Sequence, residues 1–440
     1  MFLYFFSESQ SEVFILNAVS PLVLIAHAAD THLGRWSTKP EREERDRDIE
    51  DAFKQMIDLI MMEHVKILII AGDLFDRPRP SNSTLLFFRD SVREFLERGG
   101  KIILVNGEHD TPGVAEVPST FLVSKYLNNV YHLKHFFLKD GPLSMEEDGK
   151  RLNFYGMGVV RGPKAIEHGK NIMKEIQSAV KNSSGKNVMV SHASVKEYFF
   201  KGEGYELESF PSGVHYYAMG HLHFRIIDDL KDGVIAYPGS LEILTIDEIE
   251  EWKRKGKGFY IVDMSADEPV VHQANLDVRP QEIFEISSED EILGLSKEVE
   301  SFISQFSSDR RPIVNIAMRG GDSLRRALQP RIERWQKAGA IISISFKRAE
   351  DSSLEFGPAK SGEWDEMKIV KSVVGEEQIA KLIIDLKNCL SSPEESNCEE
   401  IAREITARKD YWEKALKEWP KQKSIVKGGE KRQGLSKFMG

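Results

Sequence analysis

Apolar runs and helix-like segments alternate along the first two thirds of the chain. Residues 67–70 form an uninterrupted apolar run, which is typical of a strand buried on both faces of a sheet. Ahead of this run, Ile49, Phe53 and Ile57 recur at the four-residue spacing of an amphipathic helix. The same alternation continues to residue 278 and predicts a layered α/β domain.

A second, smaller α/β unit is predicted after residue 278, because three apolar runs alternate there with two helix-like segments. These runs and segments are, in order, residues 283–286, 291–306, 313–318, 324–337 and 341–346. Their β-α-β-α-β order fits within about seventy residues and predicts a separate small core.

The rest of the chain predicts a linker and helices. Residues 351–375 are polar with Gly and Pro, which is typical of a linker. Residues 376–440 predict a helical tail whose apolar side chains, such as Trp412 and Trp419, lie among charges. A tail with so little core of its own is expected to pack on a partner, with packing on the first α/β domain as the alternative. Residues 1–20 are expected to be an N-terminal extension.

Composition and cysteine usage limit the cellular setting. The chain has 440 residues, of which 41% are apolar and 30% charged, as in globular proteins of two or three domains. Its two cysteines, Cys389 and Cys398, lie in a polar stretch, which indicates a reducing interior. We find no basic signal-peptide start and no apolar run near the ~20 residues of a membrane helix. An intracellular, cytoplasmic protein without membrane contact is predicted.

Charge is unevenly distributed along the chain. The net charge of −10 argues against a general nucleic-acid coat. Residues 309–348, however, hold ten Lys and Arg against three Asp and Glu, and residues 401–440 hold eleven against five. The first of these basic segments can neutralise nucleic-acid phosphates without reading sequence, although a solvated helix face explains part of it equally well.

Five predicted strands are each followed by acidic or histidine residues. Strand ends that share one rim of a sheet can assemble a metal site, and nitrogen and oxygen ligands without thiolate suit one or two divalent ions such as manganese, iron or zinc. Asp73, which follows the central run, is placed to bridge two ions. The candidate ligands are Asp30, His32, Asp73, Glu108, His192, His221 and His223, with His109 beside them.

These motifs resemble those of the calcineurin-like metallophosphoesterases. The Leu33-Gly34 pair and residues 237–242 look like the archaeal double-strand-break repair nucleases, the meiotic recombination eleven family. This resemblance implies a four-layer α-β-β-α nuclease domain over residues 21–278 and a DNA-binding cap over residues 279–350. Residues 376–440 would then bind the coiled-coil, SMC-like repair ATPase of the Rad-fifty type. The matching segments are residues 30–34, 72–76, 107–110, His192 and residues 220–223.

The resemblance also implies roles for individual residues. Two manganese ions, with iron or zinc as alternatives, would be shared by the ligand set. Asp30, His32, Asp73 and His223 would hold one ion. Asp73, Glu108, His192 and His221 would hold the other.

His109 would sit by the scissile phosphate, where it would stabilise the phosphorane or protonate the leaving oxygen, with Asp110 as the candidate orienting partner. The alternative to a catalytic role is that His109 is a structural residue beside the ligands. The family further implies a homodimer through helices at residues 84–96 and 119–127. The histidines outside the motifs, including His27, are expected to be packing or surface residues.

Two positions depart from the family pattern. Glu108 stands where the family usually has Asn, which changes the ligand charge from −2 to −3 and is expected to bind the ions more tightly while weakening them as Lewis acids. Asp76 stands where related archaeal enzymes can carry a His that assists exonuclease action. Both departures bear on the balance of activities.

The function expected is therefore a manganese-dependent DNA nuclease, cutting duplex ends as an exonuclease and single strands as an endonuclease in double-strand-break repair. Such a protein would associate with the nucleoid. Two alternatives remain open. One is a metallophosphoesterase acting on small nucleotides or phosphoproteins, and the other is a DNA-end tether whose chemistry Glu108 has weakened.

Overall fold

The computed structural model describes residues 22–35, 42–113, 117–199, 204–306 and 311–346, together with residues 2–3, 14–15, 381–382 and 384–385. The elements discussed below lie in the compact unit Met1–Gly357. The predicted linker, Cys389, Cys398, most of the tail and most of the N-terminal extension fall outside the described residues. Within the described ranges, none of the helices combines the length and apolar character needed to cross a membrane.

The described strands and helices follow the predicted alternation. The strands are β1 (Phe2–Leu3), β2 (Phe14–Ile15), β3 (Leu24–Ala28), β4 (Ile67–Ala71), β5 (Lys101–Val105), β6 (Val130–His132), β7 (Leu143–Glu147), β8 (Lys150–Met157), β9 (Lys186–His192), β10 (Tyr216–Gly220), β11 (Ile226–Leu230), β12 (Gly233–Tyr237), β13 (Gly258–Asp263), β14 (Val270–Asn275), β15 (Gln281–Ile286), β16 (Ile313–Met318) and β17 (Ile341–Phe346). The α-helices are α1 (Arg42–Met62), α2 (Asn82–Glu97), α3 (Ser119–Tyr126), α4 (Ala165–Val180), α5 (Ile249–Lys255), α6 (Ile292–Ile303) and α7 (Asp322–Lys337).

Two six-stranded sheets form the larger α/β part of the chain. The first has the strand order β14-β13-β3-β4-β5-β6, in which β3, β4, β5 and β6 are parallel. The second has the order β11-β12-β10-β9-β8-β7, in which β8, β9, β10 and β12 are parallel and the two edge strands are antiparallel. Because neighbouring parallel strands end at the same edge, each sheet presents one rim of strand C-termini.

Alternating side chains of the sheets build three cores. Ile67 and Ile69 of β4 pack between the two sheets, whereas Leu68 and Ile70 pack on the opposite face, with side chains of α1 and α2. Residues of α4 cover the outer face of the second sheet. Full burial of one such side chain contributes about 1.5–3 kcal/mol. The resulting order of helix, sheet, sheet and helix confirms the layered α/β prediction.

Strand β3 runs further than the apolar pattern predicted, because it contains a buried histidine. The apolar run of residues 22–25 indicates a strand that ends there, but the strand continues through His27 to Ala28. The His27 Nδ1 atom lies 2.7 Å from the Tyr216 hydroxyl, and the ring meets Tyr216 and Tyr260 edge-on. His27 is thus a packing residue between the sheets, as expected.

Stability is expected to fall by about 2 kcal/mol between pH 7 and pH 5 because of His27. Burial lowers the pKa of His27 from 6.5 to about 3. Below pH 6.5, His27 is therefore protonated in the unfolded chain but remains neutral in the folded chain. The free energy of unfolding consequently decreases as the pH decreases. Urea unfolding at both pH values measures the effect. His27→Gln, which stays neutral, should show a fall smaller by that amount, and an unchanged fall would contradict the assignment.

The small α/β unit predicted after residue 278 is present as a three-stranded parallel sheet. Its strand order is β15-β16-β17, and α6 and α7 supply the helices of the predicted β-α-β-α-β sequence. Trp335, Leu328 and Ile316 are buried in its own core. The element order agrees with the sequence pattern, while the domain boundaries and the cap role of this small unit remain predictions.

A buried ion-pair network joins the small unit to helix α1. The Arg279 guanidinium donates to both carboxylate oxygens of Asp48, each at 2.7 Å, and to the Arg311 carbonyl oxygen at 2.7 Å. Arg311 in turn donates to Glu44 at 2.8 Å. Asp48 and Arg279 are both buried. The bidentate geometry gives this joint a defined orientation.

Candidate metal centre

The predicted ligands lie at one edge of the paired sheets. Asp30, Asp73 and Glu108 follow β3, β4 and β5 of the first sheet, and His32 lies two residues beyond Asp30. The other three ligands come from the second sheet, where β9 ends at a histidine and two more follow β10. These are His192, His221 and His223. The structure thus brings all seven predicted ligands to the rim where the two sheets face each other.

The loops that carry the ligands have unusual backbone conformations. Asp30, His32, Asp73 and His221 have φ angles of 51°, 46°, 48° and 99°, a region that residues other than glycine rarely occupy. Two of these loops are held together by backbone hydrogen bonds, including His32 N to Asp73 O at 3.0 Å. Such strain persists only where the surrounding structure enforces it, and it is concentrated at functional sites.

Among the described residues, four groups of three could hold an ion. Two of them are His32, Asp76 and His109, and Asp30, Asp73 and His192. The remaining two groups share no residue. Within each group the ligand atoms lie within 4.8 Å of one another. Asp73 lies between the groups: its Oδ2 is 3.8 Å from His32 Nε2 and 3.4 Å from His192 Nε2. Its other oxygen accepts from the His109 backbone N–H at 2.8 Å, which fixes the carboxylate. One group is Asp30, His32 and His223, and the other is Glu108, His192 and His221.

Hydrogen bonds at one ring nitrogen orient three of the imidazoles. His192 Nδ1 donates to the Ala71 carbonyl oxygen at 2.8 Å. His32 Nδ1 lies 3.1 Å from Asp76 Oδ1, and His223 Nδ1 lies 2.9 Å from a carboxylate oxygen of Glu248. This arrangement leaves Nε2 of each ring for another partner, as in metal-ligating histidines.

Two of these Nε2 atoms support a metal in the site. The Nε2 atoms of His32 and His192 are buried and have no hydrogen-bond partner among the described residues. His192 Nε2 does lie 2.6 Å from Glu108 Oε2, but without the alignment of a hydrogen bond. Buried polar atoms normally have partners. The two unpaired ring nitrogens of His32 and His192 are therefore suited to bind a metal ion.

The charges of the site favour cation binding. Burial raises the pKa of Asp73 and of Glu108, but the neighbouring histidines, His192 foremost, outweigh it and hold both pKa values below their ordinary range. Both groups are therefore ionised, as metal-ligating carboxylates must be. Asp73 and Asp30 are buried, where an uncompensated negative charge is costly. A divalent ion supplies the compensation.

Gly107 provides space that the centre requires. A Cβ atom at this position would lie 2.0 Å from Asp73 Oδ1 and 2.5 Å from the Asp73 backbone nitrogen. Neither atom can move without disturbing the Asp73 carboxylate and its loop. Glycine in the Gly107-Glu108-His109 segment is therefore a steric requirement of the site.

His109 lies beside the ligands with a different orienting partner from the one expected. Its Nδ1 donates to the Asp76 carbonyl oxygen at 3.0 Å, and its ring packs edge-on against His32 at 4.6 Å between centroids. Asp110 instead accepts from the backbone N–H groups of residues 74, 75 and 107. The expectation that Asp110 orients the His109 ring is therefore wrong. Asp76 takes that position because the turn after Asp73 passes directly beside the ring.

Asp110 has a structural role in the same loop. Burial and the nearby Asp73 carboxylate raise the pKa of Asp110 to about 7, despite its three backbone donors. The bonds tie the loop after β5 to the loop after β4. The carboxyl group thereby fixes the relative positions of Asp73 and Glu108.

The sequence interpretation missed the partner of His223. Glu248 lies outside the recognised motifs, and the only local signal is the Thr-x-x-Glu spacing that begins with Thr245. This spacing is typical of a helix start, and the structure does form that capping box. No feature of the local sequence points to His223, which lies 25 residues earlier in the chain.

Comparison with known proteins places this geometry in a family. Residues 23–225 match the model of the calcineurin-like phosphoesterase family. The chain is 28% identical over 358 residues to the "DNA double-strand break repair protein Mre11" of Saccharolobus solfataricus, covering 76% of this chain and 88% of that protein. Residues 23–225 thus form a calcineurin-like metallophosphoesterase domain, and the chain is similar to the Mre11 proteins over most of its length.

A second member of the Mre11 family matches along almost its whole length. The "DNA double-strand break repair protein Mre11" of Sulfolobus acidocaldarius is 27% identical over 399 residues, covering 88% of this chain and 99% of that protein. The metallophosphoesterase fold implies a pair of divalent metal ions. The two ligand groups on either side of Asp73 provide places for such a pair.

Proposed function

We propose that the protein is a manganese-dependent DNA nuclease that acts in double-strand-break repair, both as a duplex exonuclease and as a single-strand endonuclease. The observation that carries the proposal is the pair of ligand groups bridged by Asp73, with His109 at their edge. The Mre11 relatives are named for double-strand-break repair, which supports DNA as the substrate. Manganese fits a mixed set of carboxylate and imidazole ligands.

The proposed roles of the residues follow from their positions. Asp30, His32 and His223 would hold one ion, Glu108, His192 and His221 the other, and Asp73 would contact both. When bound, the two cations would polarise the phosphodiester and make a water molecule acidic enough to act as nucleophile near neutral pH. His109 is bonded at Nδ1 to a carbonyl oxygen, which can only accept. A protonated ring therefore presents its other N–H, at Nε2, and this proton can pass to the leaving oxygen.

Metal-dependent cleavage of labelled DNA tests this proposal. The full chain is incubated with duplexes labelled at the 3′ or the 5′ end and with a circular single strand, in the presence of manganese, magnesium or a chelator. We expect manganese-dependent shortening of the duplex and nicking of the circle. Hydrolysis of small phosphodiesters without any cutting of DNA would contradict the proposal and favour the small-nucleotide alternative.

The basic segment of the small unit supports DNA contact less strongly than its charge suggested. Arg311, Arg319 and Arg334 form ion pairs with Glu44, Glu285 and Glu300, so part of the positive charge is already compensated. Arg326 and Lys337 are exposed on α7. We propose that such exposed side chains contact phosphates without sequence preference, and binding would then weaken as salt increases.

Helices α2 and α3 support the proposal of a homodimer. Their buried faces pack in the core of the first sheet, yet Leu86, Leu122 and Tyr126 are exposed, the last to 83%. Val117, just before α3, is also exposed. Exposed apolar side chains of this size are typical of protein interfaces. A second copy of the chain is the occupant that we propose, as the family resemblance implies.

The coiled-coil repair ATPase remains the proposed partner of the C-terminal helices. Most of residues 376–440 lie outside the described residues, so the support comes from the sequence pattern and the resemblance. A protein with this partner and this substrate would work inside the cell on the nucleoid. Both statements stand as proposals.

Glu108→Asn is expected to raise cleavage severalfold and to weaken manganese binding. Glu108 is the only predicted carboxylate ligand in its group, and it contacts His192 Nε2 at 2.6 Å and His221 Nδ1 at 3.1 Å. Removing its charge leaves the ions less neutralised and thus stronger Lewis acids. Manganese titration of DNA cleavage by both proteins measures the two effects together.

The same substitution separates the nuclease from the DNA-end tether. An inactive wild type beside an active Glu108→Asn variant would support the tether. A variant with lower activity and unchanged manganese affinity would show that the charge of Glu108 does not limit catalysis. Glu146→Asn, an exposed position on β7, is the matched control and should leave cleavage unchanged.

A further inference from the structure

A buried carboxylate and ammonium lie directly behind His223. The side chains of Glu248 and Lys257 are in contact, and the residues are 0% and 2% exposed. Taking two charges out of water costs several kcal/mol per ion and is offset only by excellent geometry and further hydrogen bonds. An apolar pair of similar size would fill the same volume without that cost. The pair therefore calls for a role beyond packing.

Glu248 is held in one orientation by several donors. Its Oε1 accepts from the Thr245 N–H and hydroxyl, both at 3.0 Å, and lies 2.9 Å from His223 Nδ1. Its Oε2 accepts from the Ser240 hydroxyl at 2.7 Å and from Lys257 Nζ. A carboxylate bound at both oxygens in this way cannot rotate freely, so it fixes the direction of the His223 N–H bond.

The Lys257 side chain holds the backbone of the same histidine. Its Nζ donates to the His223 carbonyl oxygen at 2.9 Å and to the Ser240 hydroxyl at 2.7 Å. Both the ring and the main chain of His223 are therefore held by the same buried pair.

The consequence for His223 is a single available nitrogen. With Nδ1 bonded to Glu248, Nε2 remains, 4.0 Å from Asp30 Oδ1, while the ring packs edge-on against His32. In the other ligand group, the orientation of His192 comes from the Ala71 carbonyl. Glu248 contacts one side of the metal centre only.

We propose that Glu248, held by Lys257, is a positioning residue that sets His223 as a ligand on the Asp30 side of the metal pair. This inference rests on the proposed metal centre and deepens it. Carboxylates that hold a ligating histidine commonly contribute 10–100-fold to metal affinity. Loss of Glu248 should therefore weaken one of the two ions and leave the other unchanged.

Manganese binding to the purified full chain tests the proposal without relying on activity. Wild type, Glu248→Gln and the double variant Glu248→Gln/Lys257→Met are compared by equilibrium dialysis with metal analysis. The double variant removes both buried charges, so it does not leave Lys257 unpaired. Glu250→Gln is the matched control, because Glu250 is an exposed glutamate on α5. Melting of each metal-free protein reports the fold.

We expect two tightly bound ions in the wild type and the control. In both Glu248 variants, one ion should bind about 10–100-fold more weakly and the other as in the wild type. Electron paramagnetic resonance should correspondingly change from the coupled signal of a manganese pair to that of an isolated ion. The metal-free melting temperature of the double variant should stay near that of the wild type.

Three results would overturn the proposal. Two ions bound at wild-type affinity by the double variant would show that Glu248 does not position His223. Equal weakening of both ions would indicate a general loosening of the fold. A wild type that binds no pair at all would contradict the metal centre itself, which distinguishes that failure from a failure of this inference.

Discussion

Replacing His109 by alanine is expected to lower DNA cleavage by about 10²–10⁴-fold, the usual contribution of a positioned acid or base. The His109 side chain is 46% exposed at the edge of the centre and is oriented by the Asp76 carbonyl oxygen. It is not one of the seven proposed ligands, so metal content should be preserved. DNA affinity should also be unchanged, because the substitution removes none of the side chains of the small unit that we propose to contact phosphates. Cleavage rates and DNA binding by fluorescence anisotropy measure the two properties separately.

A suitable control lies on helix α4, on the outer face of the second sheet. His168 is exposed on α4, and His168→Ala should cleave DNA at the wild-type rate. A His109→Ala protein that cleaves as fast as the wild type would remove His109 from the mechanism. A protein that loses manganese together with activity would instead assign His109 a structural role.

Asp48→Ala is expected to destabilise the protein by about 3–5 kcal/mol, because it leaves the buried Arg279 charge without its carboxylate. Both oxygens of Asp48 accept from Arg279 at 2.7 Å, and Arg45 donates to the same carboxylate at 2.7 Å. Urea unfolding of the wild type and the variant measures the change in the free energy of unfolding.

The paired substitution and an exposed position on the same helix serve as controls. Asp48→Leu/Arg279→Met removes both charges and should recover much of the lost stability. Asp58→Ala, at an exposed position of α1, should change stability by less than about 0.5 kcal/mol. A loss in Asp48→Ala no larger than that of Asp58→Ala would show that the joint contributes little.

The convergence of the seven candidate ligands on one rim could be predicted because the signal is local. Each ligand follows an apolar run within a few residues, and such a run marks a strand whatever the remainder of the chain does. Asp73 after β4 and His192 at the end of β9 illustrate this. The division of the strands between two sheets could not be predicted in the same way, because strand pairing depends on contacts between distant segments.

The groups that orient the ligands were harder to predict. His223 depends on Glu248, and the His109 ring depends on a backbone carbonyl of Asp76. Every residue has a backbone carbonyl, so the residue type does not show which carbonyl accepts a hydrogen bond. From the sequence alone, a glutamate 25 positions away cannot be distinguished from a surface glutamate. The end of β3 was also hard to predict. His27 is a polar residue inside this strand, so the apolar run ends before the strand does.

The arrangement of ligands has a consequence for how the protein matures. The three carboxylates project from the first sheet, whereas three of the four imidazoles come from the second. Each of the two proposed ligand groups takes residues from both sheets, so neither group is complete until the sheets have docked. A newly synthesised chain would therefore gain its cutting ability as one of the last events of folding. Partly folded copies that encounter a chromosome would leave it intact.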